Sequence, residues 1–165
     1  MKMKCQKRAY GANRASENPV SLHLVNFNPC GQLASACEAQ CDGFDSYMIG
    51  KHEQSAHVVF PNHRQIVYLS PDAEQPLLEL DQERVYVIGC LVDEHVMKNK
   101  SLEEAEKQQC MALRLPFQEF FPKDGKARKS PVLALNHVVE LLLVYRRMIR
   151  FPLVNLYIVA GSLTN

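Results

Sequence analysis

The 165-residue chain is 47% hydrophobic and 22% charged, with 19 Lys and Arg against 18 Asp and Glu and a formal charge of +1. That composition suits one globular domain with a real core. It excludes a disordered polar tract, a collagen-like repeat (7 Gly and 9 Pro) and a simple polycation that coats nucleic acid, while a locally clustered nucleic-acid site stays open.

In chain order, the first 14 residues carry Lys2, Lys4, Lys7, Arg8 and Arg14 and no acid. No apolar stretch of signal-peptide length follows them. Residues 20–27 (Val-Ser-Leu-His-Leu-Val-Asn-Phe) read as a strand closed by the turn signal Asn28-Pro29-Cys30-Gly31. Residues 33–41 are an Ala-rich helix candidate, and a loop containing Gly43, Gly50 and Pro61 leads to the brief apolar strand 66–69. Ser70-Pro71-Asp72 reads as a helix start, with Ser70 as cap, Pro71 at the first helical position and Asp72 at the positive end of the dipole. Pro76 keeps that helix short.

The nearly unbroken apolar run 84–92 predicts a central parallel strand covered on both faces. Ser101 with Glu104 three residues on predicts a capping box opening a helix to about 109. A strand follows at 111–115, stopped by Pro116, then a loop over 117–130 whose Lys123, Lys126, Arg128 and Lys129 face one acid, Asp124. The longest predicted helix is 131–147; Asn136, His137 and Glu140 interrupt its apolar run, so it reads as a buried amphipathic helix and not a membrane span. Strands alternating with helices predict an α/β domain with a mainly parallel sheet. Six cysteines (Cys5, Cys30, Cys37, Cys41, Cys90, Cys110) without a signal peptide predict reduced thiols and a cytoplasmic or nuclear location, with no membrane association.

Cys37-x3-Cys41 followed by His52-x4-His57 loosely matches a zinc pattern, but the central spacing is 10 residues and not about 12, and no recognition helix leads into the histidines. Buried cysteines and loop histidines are the preferred reading, and no metal is expected. There is no Walker loop, Gly-x-Gly-x-x-Gly or Ser-centred nucleophile elbow. In an open α/β sheet ligands bind beyond the carboxyl ends of the strands, which here points to the loops after residues 69, 89 and 115. Asp93, next to a glycine-containing strand end, is a candidate general base or, equally, a loop or helix-cap carboxylate; His95 reads as a solvated loop histidine.

Val85-Tyr-Val-Ile-Gly-Cys-Leu-Val-Asp-Glu-His95, followed by Ser101-Leu-x-x-Ala105, resembles the signature of the tRNA guanine-9 N1-methyltransferases of the SPOUT class. Tyr10-Gly-Ala-Asn-Arg14, Val67-Tyr-Leu-Ser-Pro-Asp72, Arg114-Leu-Pro-Phe-Gln-Glu119 and Val132-Leu-Ala-Leu-Asn-His-Val-Val-Glu-Leu-Leu142 fall in the family's order. Asp42-Gly-Phe-Asp-Ser-Tyr47 is most similar to the vertebrate B-type branch. The resemblance covers about residues 10–145.

It implies a SPOUT-like parallel sheet flanked by helices, with a C-terminal trefoil knot that grips S-adenosylmethionine. The gripping residues would be Leu69, Ser70, Gly89, Cys90, Leu91, Val92, Leu115, Val132, Leu133, Leu135 and Asn136. Asp93 matches the family's proposed general base, and a carboxylate near a partly dry pocket can take the proton from guanine N1. Lys7, Arg8, Arg14, Lys123, Lys126, Arg128 and Lys129 would contact tRNA phosphates, although solvated charge on a tail and a loop is the commoner fate of such runs. The family implies a monomer.

The chain departs from the pattern in three places. Cys90 stands where the family usually has a second glycine, adding bulk at the cofactor site. The family's first strand and helix are missing before Tyr10, which predicts unpaired edges inside the sheet. After Tyr145 the match stops: Arg146-Arg-Met-Ile-Arg-Phe-Pro-Leu-Val-Asn-Leu-Tyr-Ile-Val-Ala160 is not the polar, Trp-containing ending of the family, and the chain has no Trp. The expected organisation is a basic segment 1–14, an incomplete SPOUT methyltransferase domain 15–147 and a divergent tail 148–165, as in a truncated or spliced product. Two functions fit: an S-adenosylmethionine-dependent methyltransferase acting on N1 of guanine 9 in tRNA, or a catalytically inactive RNA-binding or interaction module built from the same fold.

Overall fold

The computed structural model of the chain describes residues 3–90, 99–120, 133–149 and 155–160. Among these residues six strands form one sheet: β1 (Ser21–Val25), β2 (Gly50–Lys51), β3 (Ile66–Leu69), β4 (Val85–Cys90), β5 (Met111–Leu113) and β6 (Asn155–Ala160). Their order is β2-β1-β6-β4-β3-β5 and every pair is parallel. Parallel neighbours need long crossovers, and helices supply several of them: α2 (Gln32–Gln40), the single turn α3 (Ala56–Val59) and α4 (Lys100–Lys107). The single turn α5 (Phe117–Phe120) and the long α6 (Leu135–Ile149) follow β5, and α1 (Met3–Ala15) precedes the sheet.

Both faces of the sheet are buried, so its central strands carry apolar residues at successive positions. Val67 and Leu69 of β3 join Tyr86 and Ile88 of β4 in one core, closed by Leu135, Val138, Val139 and Leu142 of α6. Ile66 and Tyr68 join Val85 and Val87 in the core on the other face, closed by Ala56 and Ala105. Each such Val, Ile or Leu contributes about 1.5–3 kcal/mol on burial.

The basic N-terminal residues are helical from Met3 to Ala15, and α1 packs along α6. Its end is clamped to the start of β1: the Asn13 side chain donates to the Val20 carbonyl (2.9 Å) and accepts from the Val20 N–H (2.8 Å). Buried Arg146 of α6 reaches the same connection, its Nη1 donating to the carbonyls of Asn18 (2.6 Å) and Pro19 (2.8 Å).

Three expectations need correction. Residues 70–76 do not form a helix. Ser70 Oγ accepts from the Asp72 N–H (3.3 Å) in a tight turn, and the chain then runs beside the end of β5, with Arg114 N–H donating to Gln75 O (2.9 Å) and Leu77 N–H to Arg114 O (2.8 Å). Pro76, which has no N–H to give a helix, sits between these two bonds in a parallel bridge. The capping box also fails. Asn99, at φ 61°, occupies the cap position of α4 with no side-chain cap bond, which leaves Ser101 inside the first turn.

Finally, the unpaired interior edges do not occur among the described residues. β6, from the segment expected to be a tail, lies between β1 and β4 and pairs with both: Asn155 with Ser21 and Val85, Val159 with Val25 and Gly89.

Candidate functional site

Three of the loops singled out by the sequence leave the sheet side by side. β4, β3 and β5 are consecutive neighbours, and Leu69 is in register with Ile88 on one side and Leu113 on the other. The next residues along, Gly89, Ser70 and Arg114, therefore share the carboxyl edge of the sheet, the position at which parallel sheets bind ligands. Ser70 is buried and its N–H donates to Leu113 O at 2.9 Å, extending the β3–β5 ladder by one step. Leu133 and Leu115 are half-buried and pack on the cluster that contains Leu69, Ile88 and Leu135. Buried Asn136 opens α6, its Nδ2 lying 3.5 Å from Glu140 Oε1.

Leu69, Ser70, Gly89 and Leu115 thus lie at one end of the sheet, while Leu133 and Leu135 belong to the core on one of its faces. Leu91, Val92, Asp93, Val132, Lys123, Lys126, Arg128 and Lys129 lie outside the described residues, and Cys90 is described only as the last backbone position of β4. Lys7, Arg8 and Arg14 are exposed on α1, away from the buried Ala9 and Asn13. Lys7 also meets Asp42, at 3.6 Å.

Two contacts at this edge were not foreseen. Asp72, read from sequence as a helix-dipole residue, accepts the backbone N–H of Asn99 on Oδ2 at 2.9 Å. It thereby ties the turn after β3 to the far end of the segment that follows β4. Arg114, with 11% of its side chain exposed, makes a two-pronged ion pair with Glu119 at 2.8 and 2.6 Å. The Glu119 hydrogen bonds raise the guanidinium's proton affinity, against the opposing cost of its burial. Beneath the 115–120 turn lies a hollow of about 150 Å3, lined by Leu77, Pro116, Phe117, Phe120, Leu142 and Tyr145 among others. The Tyr145 hydroxyl donates to the Leu78 carbonyl at its rim.

Among the described residues no group of three or more His, Cys, Asp or Glu is placed to hold a metal ion. Cys37 and Cys41 are buried, and burial pushes the Cys41 thiol pKa up. No described helix is long and apolar enough to cross a membrane.

Residues 2–151 match the family model described as tRNA (guanine(9)-N(1))-methyltransferase TRM10/TRM10A. The chain is 33% identical over 148 residues to human tRNA methyltransferase 10 homolog B, covering 88% of this chain and 46% of that protein. It is 30% identical over 145 residues to the tRNA (guanine(9)-N1)-methyltransferase of Schizosaccharomyces pombe, covering 84% and 45%. The chain thus spans less than half the length of these curated relatives. A crystal structure of full-length spTrm10 in complex with SAH superposes with a TM-score of 0.73 at 28% identity, over 87% of this chain and 75% of that one. β6 lies beyond the last residue matched by the family model.

Proposed function

The chain belongs to the tRNA (guanine(9)-N(1))-methyltransferase family, and from that premise we propose that it methylates N1 of guanine 9 in tRNA, using S-adenosylmethionine and Asp93 as general base. The observation that carries the reading is the convergence of Leu69, Ser70, Gly89 and Leu115 at the carboxyl edge of β4-β3-β5, within the stretch matched to the family.

These residues fit the cofactor chemically. Leu69, Leu115, Leu133 and Leu135 offer apolar surface for a purine and for the alkyl arms of the sulfonium, Gly89 allows close approach to main chain, and Ser70 supplies a hydroxyl. When bound, S-adenosylmethionine supplies an electrophilic methyl group. The protein's share is to hold, dry and deprotonate. The leucines exclude water from the reacting centre, and the Asp93 carboxylate accepts the N1 proton of guanine, leaving the ring nitrogen a competent nucleophile. Lys7, Arg8 and Arg14 on α1, with Lys123, Lys126, Arg128 and Lys129, serve as phosphate contacts that position tRNA without reading its sequence. In this reading the C-terminal half forms the family's trefoil knot, and the protein works as a monomer in the cytoplasm or nucleus.

The test is labelled methyl transfer to a tRNA bearing guanine 9, with S-adenosylhomocysteine calorimetry alongside. We expect incorporation by the wild-type chain, a loss of about 100-fold or more in Asp93→Asn, and unchanged S-adenosylhomocysteine affinity in that variant. tRNA binding without incorporation would support the second reading, an inactive RNA-binding module, which Cys90 in place of a glycine favours. Absence of binding to either ligand overturns both.

A further inference from the structure

The turn after β5 carries Leu115 and is fastened at both ends. Arg114 is fixed by its backbone, which donates to Gln75 O at 2.9 Å and accepts from Leu77 N–H at 2.8 Å. Its guanidinium then reaches across the turn to Glu119, pairing Nη1 with Oε2 at 2.8 Å and Nη2 with Oε1 at 2.6 Å. Residues 115–118 are thereby enclosed in a ring closed by two parallel charge-assisted bonds. Such a pair fixes orientation as well as distance, which a lysine ammonium does not.

Leu115 packs against the core on this face of the sheet, and Pro116, Phe117 and Phe120 line the hollow of about 150 Å3. The pair is largely buried on the arginine side and spans the turn, so it is well placed to set the course of the Leu115–Pro116 backbone.

We propose that Arg114 and Glu119 are positioning residues, whose two-pronged contact across the Leu115–Pro116 turn holds that turn in the shape that accepts the nucleoside of the methyl donor. The inference rests on the methyltransferase reading. The pair acts through the turn and does not touch the donor.

The test is calorimetry of the full chain with S-adenosylhomocysteine, with thermal melting of each sample. Glu119→Gln keeps the size and one acceptor but removes the charge, and is expected to weaken binding about tenfold. Thermal melting of the same samples shows how much of that loss is global stability, because neutralising the partner of a buried guanidinium also destabilises the fold. Arg114→Lys keeps the charge but not the two-pronged geometry and should lose a similar factor. Because the two residues act as one unit, the double variant should bind no worse than the weaker single variant.

Wild-type affinity in Glu119→Gln or in Arg114→Lys overturns the proposal. So do losses that multiply in the double variant, or an affinity that falls only in step with the melting midpoint. A wild-type chain that binds no S-adenosylhomocysteine overturns the cofactor reading itself, and this proposal with it.

Discussion

The imidazoles of His23 and His52 lie nearly parallel, their centroids 5.3 Å apart, with His23 Nδ1 3.0 Å from His52 Nε2, so that one ring donates a hydrogen bond to the other. Ser21 Oγ lies 2.8 Å from the other His23 nitrogen, and the Phe60 ring stands edge-on to His23. This contact joins β1 to the short edge strand β2 and the residue just beyond it.

Burial, and then the neighbouring His52 ring, hold the His23 pKa below the usual histidine value of 6.5. The folded state therefore binds its proton less readily than the unfolded chain. Its contribution to stability is complete above pH 6.5 and is lost as pH falls below that value. Melting midpoints across this range should decline on acidification, and His23→Gln should flatten the decline. A wild-type profile as flat as the variant's would refute this.

Gly50 makes room for the same ring. A Cβ at this position would overlap His23 Nδ1 and come within 2.9 Å of both His23 Cε1 and His52 Nε2. Gly50→Ala should destabilise the chain by about 1–3 kcal/mol through overpacking. The cost should largely vanish in a His23→Ala background. Urea denaturation of the four proteins measures this directly, and equal costs in the two backgrounds would contradict the assignment.

Asn13 satisfies both backbone groups of Val20. Asn13→Ala leaves a donor and an acceptor without their partner at a buried position, for an expected loss of about 2 kcal/mol. Asn13→Asp keeps the acceptor but turns a carboxylate oxygen toward the Val20 carbonyl at a buried position, and should lose at least as much. Chemical denaturation is the check, and a loss below about 0.5 kcal/mol for Asn13→Ala would show that water replaces the clamp.

Ile158 sits in register with Leu24 on one side and Ile88 on the other. Proline there removes a ladder hydrogen bond from an interior strand, a position that proline does not tolerate. Ile158→Pro should therefore abolish a single cooperative unfolding transition. A variant that melts like the wild type would remove β6 from the sheet.

What could be read from sequence follows physical locality. Residues 66–69 and 85–90 were legible as buried strands because a sheet covered on both faces demands unbroken apolar runs. The location of the candidate site was legible too, since a parallel sheet offers its carboxyl edge to ligands whatever its sequence. Ser70-Pro71-Asp72 misled because its local helix signals lose to pairing with Arg114, which is distant in sequence. Asn99 displaced Ser101 as the start of α4 for a related reason: Asp72 fixes the Asn99 N–H from outside the helix. The Arg114–Glu119 pair follows no helical or strand periodicity and arises only because the chain turns at Pro116. β6 has strand-forming composition, but nothing in Asn-Leu-Tyr-Ile-Val-Ala names its neighbours.

The placement of β6 also governs time. Its register partner Ser21 precedes Asn155 by 134 positions (155 − 21), and Val85 precedes it by 70 (155 − 85). Contacts of such separation are slow to find, because the entropy of closing the intervening loops is lost before any pairing compensates. Until the strand arrives, β1 and β4 present bare backbone edges to other copies of the chain. Refolding yield should therefore fall steeply with protein concentration, limited by a race between one late strand and its intermolecular substitutes.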